Sequence, residues 1–282
     1  MKKEKFNKSK IHYREKPKVI VLSGYGLNCE EETKFAFEHA GGVADIVHIN
    51  DLIENPKQLL KYNILAFPGG FSYGDDMGSG KAFASKIKNH LKKEFEEFLA
   101  GDTLAIGICN GFQIMTSLGI LPGALAHNEG GRYIDRWVDL EVPPSSLIRR
   151  GPGRGSSPWT KGIKKISLSI AHGEGRYITT EKEYKNLLKE NRIAFKYVEG
   201  EMCKYQNLKA NPNGAMHATA GVLGYNGRVL GMMPHPERAM FFTQRPDWEL
   251  QKEVLKRKGK KISDEGAGIL LFKNAVRYFT KA

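Results

Sequence analysis

Residues Leu104 to Ile108 read Leu-Ala-Ile-Gly-Ile, an unbroken apolar run that stops at Cys109 and passes straight into Asn110-Gly111-Phe112-Gln113 and a stretch of helical period. A short apolar run without polar alternation is buried on both faces, which suits a parallel strand sandwiched between helices. The same grammar recurs from Lys18 onward. Val19 to Leu22, Ala44 to Ile49 and Ile64 to Phe67 read as further buried parallel strands, and Glu30 to His39 and Ser85 to Leu99 as the helices between them. After Pro122 the runs lie closer together and read as antiparallel: Trp137 to Val142, Ile166 to Ile170, Ile193 to Val198, and Ala220 to Met233. The last of these has Asn226-Gly227 at its centre, a signal for a two-residue hairpin. Helical spacing of Ile269, Leu270, Phe272, Val276 and Phe279 predicts a closing helix over 266–279. The expected fold class is therefore α/β, an open, mostly parallel sheet flanked by helices, with an added antiparallel portion.

With 282 residues, 40% of them hydrophobic, the chain has enough apolar material for one large domain. It contains no run of about 18 apolar residues and no apolar stretch behind its first lysines, so a soluble, cytoplasmic protein without membrane contact is expected. The formal charge is +13, and its placement matters more than its size. Residues 1–18 contribute +6 and residues 145–166 another +6, leaving +1 for the rest. The first is a polar tail, taken as residues 1–16, ahead of a domain over 17–282; the second holds Arg149, Arg150 and Arg154 in a Gly/Pro/Ser setting, and 145–158 reads as a loop insertion. Charge confined to such segments reads as solvated or as a docking aid, so no nucleic-acid partner is expected.

The three cysteines, Cys29, Cys109 and Cys203, form no CxxC pair, which argues for free thiols and against a disulfide framework or a zinc site. Cys109 stands where a strand turns sharply into a helix, the mechanics that lift a nucleophile above a sheet edge. Gly107 and Gly111 leave room for the turn, while the helix N-terminus favours a thiolate and supplies N–H groups for an oxyanion. Taken alone, the same pattern also fits a small buried cysteine that only packs. Cys29 follows a strand without a comparable glycine pair, and Cys203 lies in a polar segment.

A thiol nucleophile needs a proton carrier, and that carrier needs an orienting group. Pro234-His235-Pro236-Glu237-Arg238 supplies both; in extended backbone, positions 235 and 237 face one side. His39, His48, His90 and His127 lack a carboxylate at this spacing and read as structural or surface residues.

The Cys109 elbow and the His235 segment together resemble the catalytic elements of class I glutamine amidotransferases, flavodoxin-like α/β enzymes with a Cys-His-Glu triad. Gly26-Leu-Asn-Cys29-Glu30, Phe67-Pro-Gly69-Gly70-Phe71-Ser72-Tyr73-Gly74-Asp75, His172-Gly-Glu174-Gly-Arg176-Tyr177 and Asn211-Pro-Asn213-Gly214 narrow the likeness to the glutaminase subunits of phosphoribosylformylglycinamidine synthase. The resemblance covers the chain from about Lys18 and leaves out the tail and the Arg/Gly segment. It implies catalytic Cys109, His235 and Glu237, oxyanion donors at the backbone of Gly70 and Asn110, and glutamine-binding Gln113, His172, Gly173 and Glu174. It also implies no metal or cofactor in this chain, since ATP and Mg belong to a larger synthetase subunit, which a small third subunit sometimes joins. Another class I glutaminase, or a cysteine-dependent hydrolase of the same fold, is the alternative reading.

Overall fold

The computed structural model describes residues 15–75, 78, 80–144 and 157–280. The tail over 1–16 lies almost wholly outside these residues, and so does most of the 145–158 segment with Arg149, Arg150 and Arg154.

One nine-stranded sheet organises the chain. Its parallel half contains β1 (Lys18–Ser23), β2 (Val43–His48), β3 (Ile64–Phe67), β4 (Leu104–Ile108) and β11 (Val229–Met232). Its antiparallel half contains β6 (Ile134–Glu141), β7 (Lys165–His172), β9 (Ile193–Val198) and β10 (Thr219–Gly224). The strand order is β2-β1-β3-β4-β11-β10-β9-β6-β7, and β5 (Ala124–Ala126) pairs separately with β8 (Arg176–Ile178). The first five places follow the flavodoxin-like order, the fifth being filled by a strand from near the C-terminus. Every residue of β3 and β4 is fully buried, as their unbroken apolar runs require.

Helices cover the sheet. α1 (Glu30–His39) packs on the C-terminal α9 (Ile269–Thr280) through Phe37 and Phe272, edge to face with ring centroids 4.9 Å apart. Elsewhere α3 (Lys81–His90) packs against α5 (Asn110–Leu118), the helix that follows Cys109. The smaller helices are α2 (Ile49–Glu54), α4 (Lys92–Ala100), α6 (Glu181–Lys189), α7 (Glu201–Gln206) and α8 (Trp248–Arg257). Among the described residues no helix is long and apolar enough to cross a membrane.

Three local expectations change. The single helix expected over 85–99 is two, α3 and α4, because Leu91 leaves helical geometry (φ −129°, ψ 7°) with its side chain fully buried. That bend keeps Ile87 on one piece and Phe95 on the next in the core. The Asn226-Gly227 hairpin has four linking residues rather than two, since Gly224 still pairs with Val229 and Tyr225, Asn226 and Gly227 all take positive φ. Its second strand, β11, pairs antiparallel with β10 but parallel with β4, so it belongs to both halves of the sheet. The strand expected over 44–49 stops one residue early, because His48 caps α2 by accepting from Asn50 N at 3.2 Å.

Candidate active site

β4 and β11 are neighbouring parallel strands with Ile108 opposite Met232, so whatever follows each emerges at the same sheet edge. Cys109 follows the first and His235 the second. The Cys109 amide donates to Met232 O at 2.8 Å, which fixes the start of the elbow against the partner strand. Cys109 itself has φ 51° and ψ −107°, a conformation that costs a non-glycine residue on the order of 1–3 kcal/mol and has to be held by its surroundings. Part of that hold is Gly111, where a methyl group would overlap the Phe67 carbonyl of β3; only glycine lets the first turn of α5 come this close.

His235 is anchored by its amide, which donates to Ser169 O of β7 at 2.8 Å. The pairing with Glu237 does not come from extended backbone. Pro236–Arg238 form one 3-10 turn, and the turn folds the Glu237 carboxylate back so that Oε1 lies 2.6 Å from His235 Nδ1. Both side chains are almost fully buried. Burial by itself pulls the His235 imidazolium down, but Glu237, then Cys109, and hydrogen bonding to Cys109 and Cys29 outweigh it and hold His235 well above its usual 6.5.

Above the elbow lies a cleft of about 140 Å³, lined by Gly70, Cys109, Gln113, His172, Gly173 and Glu174, with Phe71, His127 and Tyr133 at its sides. The Gly70 backbone is wedged against the segment before α1, where a side chain would press within 2.5 Å of Gly26 O. A chain of side-chain amides ties the walls together: Ser72 N donates to Asn110 Oδ1 (3.3 Å), Asn110 Nδ2 to Gln113 Oε1 (2.8 Å), and Gln113 Nε2 to Glu174 O (2.6 Å). The site residues expected from sequence are therefore gathered around one cleft, with His235 and Glu237 directly behind Cys109.

The domain model that matches residues 16–279 is that of the CobB/CobQ-like glutamine amidotransferases. A phosphoribosylformylglycinamidine synthase subunit PurQ from Methanococcus maripaludis is 46% identical over 277 residues, covering 94% of this chain and 98% of that one. The corresponding subunit from Dehalococcoides mccartyi is 35% identical, covering 93% of this chain and 98% of its own. The structure of PurLQS from Thermotoga maritima contains a chain that matches with a TM-score of 0.65 at 30% identity, covering 94% of this chain and 99% of that chain. This chain belongs to the glutamine amidotransferases, in the family of PurQ subunits.

Around this family's core the structure adds residues that spacing alone had left aside. Asn128, which the sequence reading did not single out, is buried and holds the 172–175 loop: its Nδ2 donates to His172 O and Arg132 O, both at 2.8 Å. Asn213 Nδ2 donates to Gly175 O at 2.7 Å from the opposite side. His127 is a surface residue, as expected, its side chain 80% exposed, and it stands at the rim of the cleft with Nε2 3.7 Å from Glu174 Oε1. Cys29 is fully buried beside His235, and Arg238 Nη2 donates to its sulfur at 3.0 Å. Cys29, His235 and Glu237 bring ligating atoms within 4.8 Å of one another. A guanidinium already on the sulfur opposes a metal cation there. Cys203 is buried on α7, its amide donating to Asp139 and its thiol pushed up by burial and by that carboxylate.

Proposed function

We propose that this chain is the glutaminase component of phosphoribosylformylglycinamidine synthase, with Cys109 as nucleophile, His235 as proton carrier and Glu237 as its orienter. The observation that carries the reading is the buried His235–Glu237 pair, 2.6 Å apart, delivered beside the strained Cys109 elbow by two adjacent parallel strands.

His235 takes the thiol proton of Cys109, and the influences that hold His235 raised favour its carrying that proton. The sulfur attacks the side-chain amide carbon of glutamine, and the carbonyl π pair moves to oxygen. The backbone N–H groups of Gly70 and Asn110 receive that oxyanion. Collapse breaks the C–N bond while His235 gives its proton to the nitrogen, releasing ammonia and leaving a thioester. Water then attacks the thioester with His235 taking its proton, the C–S bond breaks, and glutamate leaves with the thiolate restored. Gln113, His172, Gly173 and Glu174 cradle the glutamine, and Glu237 keeps Nδ1 of His235 engaged so that Nε2 serves the reacting atoms.

Ammonia passes to a larger synthetase subunit that binds ATP and Mg and converts formylglycinamide ribonucleotide to formylglycinamidine ribonucleotide in purine biosynthesis, in the cytoplasm. The nucleophile serves only the first half of this coupled reaction. Cys109→Ala is therefore expected to abolish glutamine-dependent synthesis by the reconstituted complex while ammonia-dependent synthesis continues. Glutamine turnover at the wild-type rate in that variant would remove the assignment.

A further inference from the structure

Cys29 takes no part in the acyl transfer, yet it is fully buried at the junction of two segments that do. Its sulfur accepts from Arg238 Nη2 at 3.0 Å, and its own S–H donates to Asn28 Oδ1 at 3.4 Å. The backbone of the same segment is tied to the loop that carries Gly70. Asn28 N and Cys29 N both donate to Gly69 O, at 3.2 and 3.3 Å, and Phe71 N donates to Gly26 O at 2.7 Å. Cys29 O accepts from Thr33 N at 3.1 Å and from Thr33 Oγ1 at 2.7 Å, which roots the residue in the first turn of α1. On the other side, the sulfur stands within 4.8 Å of a ring nitrogen of His235 and of a carboxylate oxygen of Glu237. A methyl group on Gly69 would lie 2.8 Å from His235 Cε1 and 3.2 Å from Cys29 Sγ, so the loop passes close against both.

Arg238 closes the 3-10 turn that folds Glu237 back onto His235. Burial pulls its guanidinium down, but Cys29 first, and then Glu237 and Cys109, outweigh this and hold Arg238 above its ordinary value. We propose that Cys29 and Arg238 are a positioning pair: the guanidinium–sulfur bond fixes the turn bearing Glu237 against the loop bearing Gly70, so that proton carrier and oxyanion donor keep one register. This rests on the glutaminase reading above and adds two residues to which that reading gives no role. Neither side chain lines the cleft. Their effect falls on the transition state, where charge on the acyl oxygen and a proton on its way to nitrogen must be served at once. Glutamine in its ground state is cradled by the opposite wall, so loosening the pair costs turnover and not affinity. The sulfur accepts from Arg238 while its proton goes to Asn28, a pattern that a hydroxyl reproduces and a methyl group does not.

The test is steady-state glutamine turnover by variants in the complex with the synthetase, each used once it co-elutes with the partner and unfolds cooperatively in urea. Cys29→Ala and Arg238→Met should each lower kcat about tenfold, the scale of one hydrogen bond to a charged group, with the glutamine KM changed by less than about twofold. Cys29→Ser keeps an acceptor for Arg238 and a donor for Asn28, and its kcat should stay within about threefold of the wild type. Combining Cys29→Ala with Arg238→Met should cost no more than about twofold beyond the worse single change, because both break the same bond. A cysteine that only filled space would be replaced by alanine at least as well as by serine, and two residues acting separately would multiply their losses to about a hundredfold. Either result would overturn the pair, and so would a raised KM with kcat unchanged. If the double variant does not fold, the order of serine and alanine at position 29 decides alone. Absence of glutamine turnover in the wild-type complex would instead remove the glutaminase reading, a failure told apart because it needs no substitution.

Discussion

The two buried histidines should give the protein opposite pH dependences of stability, and the acid side can be worked out in advance. His172 stands at about 3 in the folded chain against an ordinary 6.5, because burial and then His235 disfavour its charged form. Below pH 6.5 the unfolded chain takes up a proton at this residue that the folded chain refuses, so stability from His172 is complete above about 6.5 and is lost as pH falls toward 3. The slope is at most about 1.4 kcal/mol per pH unit, which makes the loss roughly 2 kcal/mol by pH 5. His235 has the other sign. Its folded value is raised, so its contribution is complete below 6.5 and disappears as pH climbs through the raised value. It therefore cannot produce weakening on the acid side. His172→Gln removes the titration but leaves an amide able to donate to Asn128 Oδ1. Urea unfolding of both proteins at pH 7, 6 and 5 gives the comparison, with acid-sensitive carboxylates common to the two cancelling in the difference. The wild type should lose about 2 kcal/mol more than the variant between pH 6.5 and pH 5. Parallel curves over that range would show that His172 titrates normally and refute the reasoning.

Other outcomes follow from the same geometry. Glu237→Gln removes the charge 2.6 Å from His235 but keeps an acceptor, so kcat should fall by about two orders of magnitude, and His235→Ala should cost more because the proton carrier itself is gone; equal losses in steady-state assays would withdraw the orienter role. Gly111→Ala forces a methyl group onto the Phe67 carbonyl and should destabilise the chain by about 3 kcal/mol in urea unfolding; a change under about 0.5 kcal/mol would mean that the elbow has slack. Gly69→Ala places a methyl group 2.8 Å from His235 Cε1 and should lower kcat more than it raises the glutamine KM, which kinetics on the folded variant would check.

The parts of this architecture that were legible in the sequence are those whose causes are local. Buried strands such as Leu104–Ile108 declare themselves by unbroken apolar runs, and the elbow by a cysteine between a strand and a helix with glycines two residues away on each side. The His235–Glu237 pair was legible for a different reason than expected: the spacing is short enough that a 3-10 turn closes the contact where extended backbone was anticipated. Asn128 was not legible, because its partners His172 and Gly175 lie 44 and 47 residues away and nothing in an Asn-Glu-Gly-Gly turn announces them. Cys29 was set aside because no neighbouring glycine pair marks it, yet the fold seats it under Arg238 beside the proton carrier. The break at Leu91 was hidden because no proline or glycine is there to signal it, only the demand that residues on both sides stay buried.

The antiparallel half of the sheet closes the cleft at one edge of a flavodoxin-like layer. The parallel half carries the proposed nucleophile and proton carrier just past the ends of β4 and β11. β7 stands at the far end of the strand order, yet its Ser169 bridges to His235 and its Ala171 carbonyl comes within 3.7 Å of Cys109 Sγ. The sheet therefore curls until its last strand meets the reactive edge, and the residues that continue β7, His172 to Gly175, form the wall opposite the elbow. The same strand thus steadies the His235 backbone and leads into that wall. The amide chain from Ser72 through Asn110 and Gln113 to Glu174 closes the remaining side of the circuit, so the Gly70–Ser72 loop, α5 and the loop after β7 share one set of hydrogen bonds. Such a site has few independent motions left, which suits a reaction whose product ammonia is useful only when an acceptor is waiting.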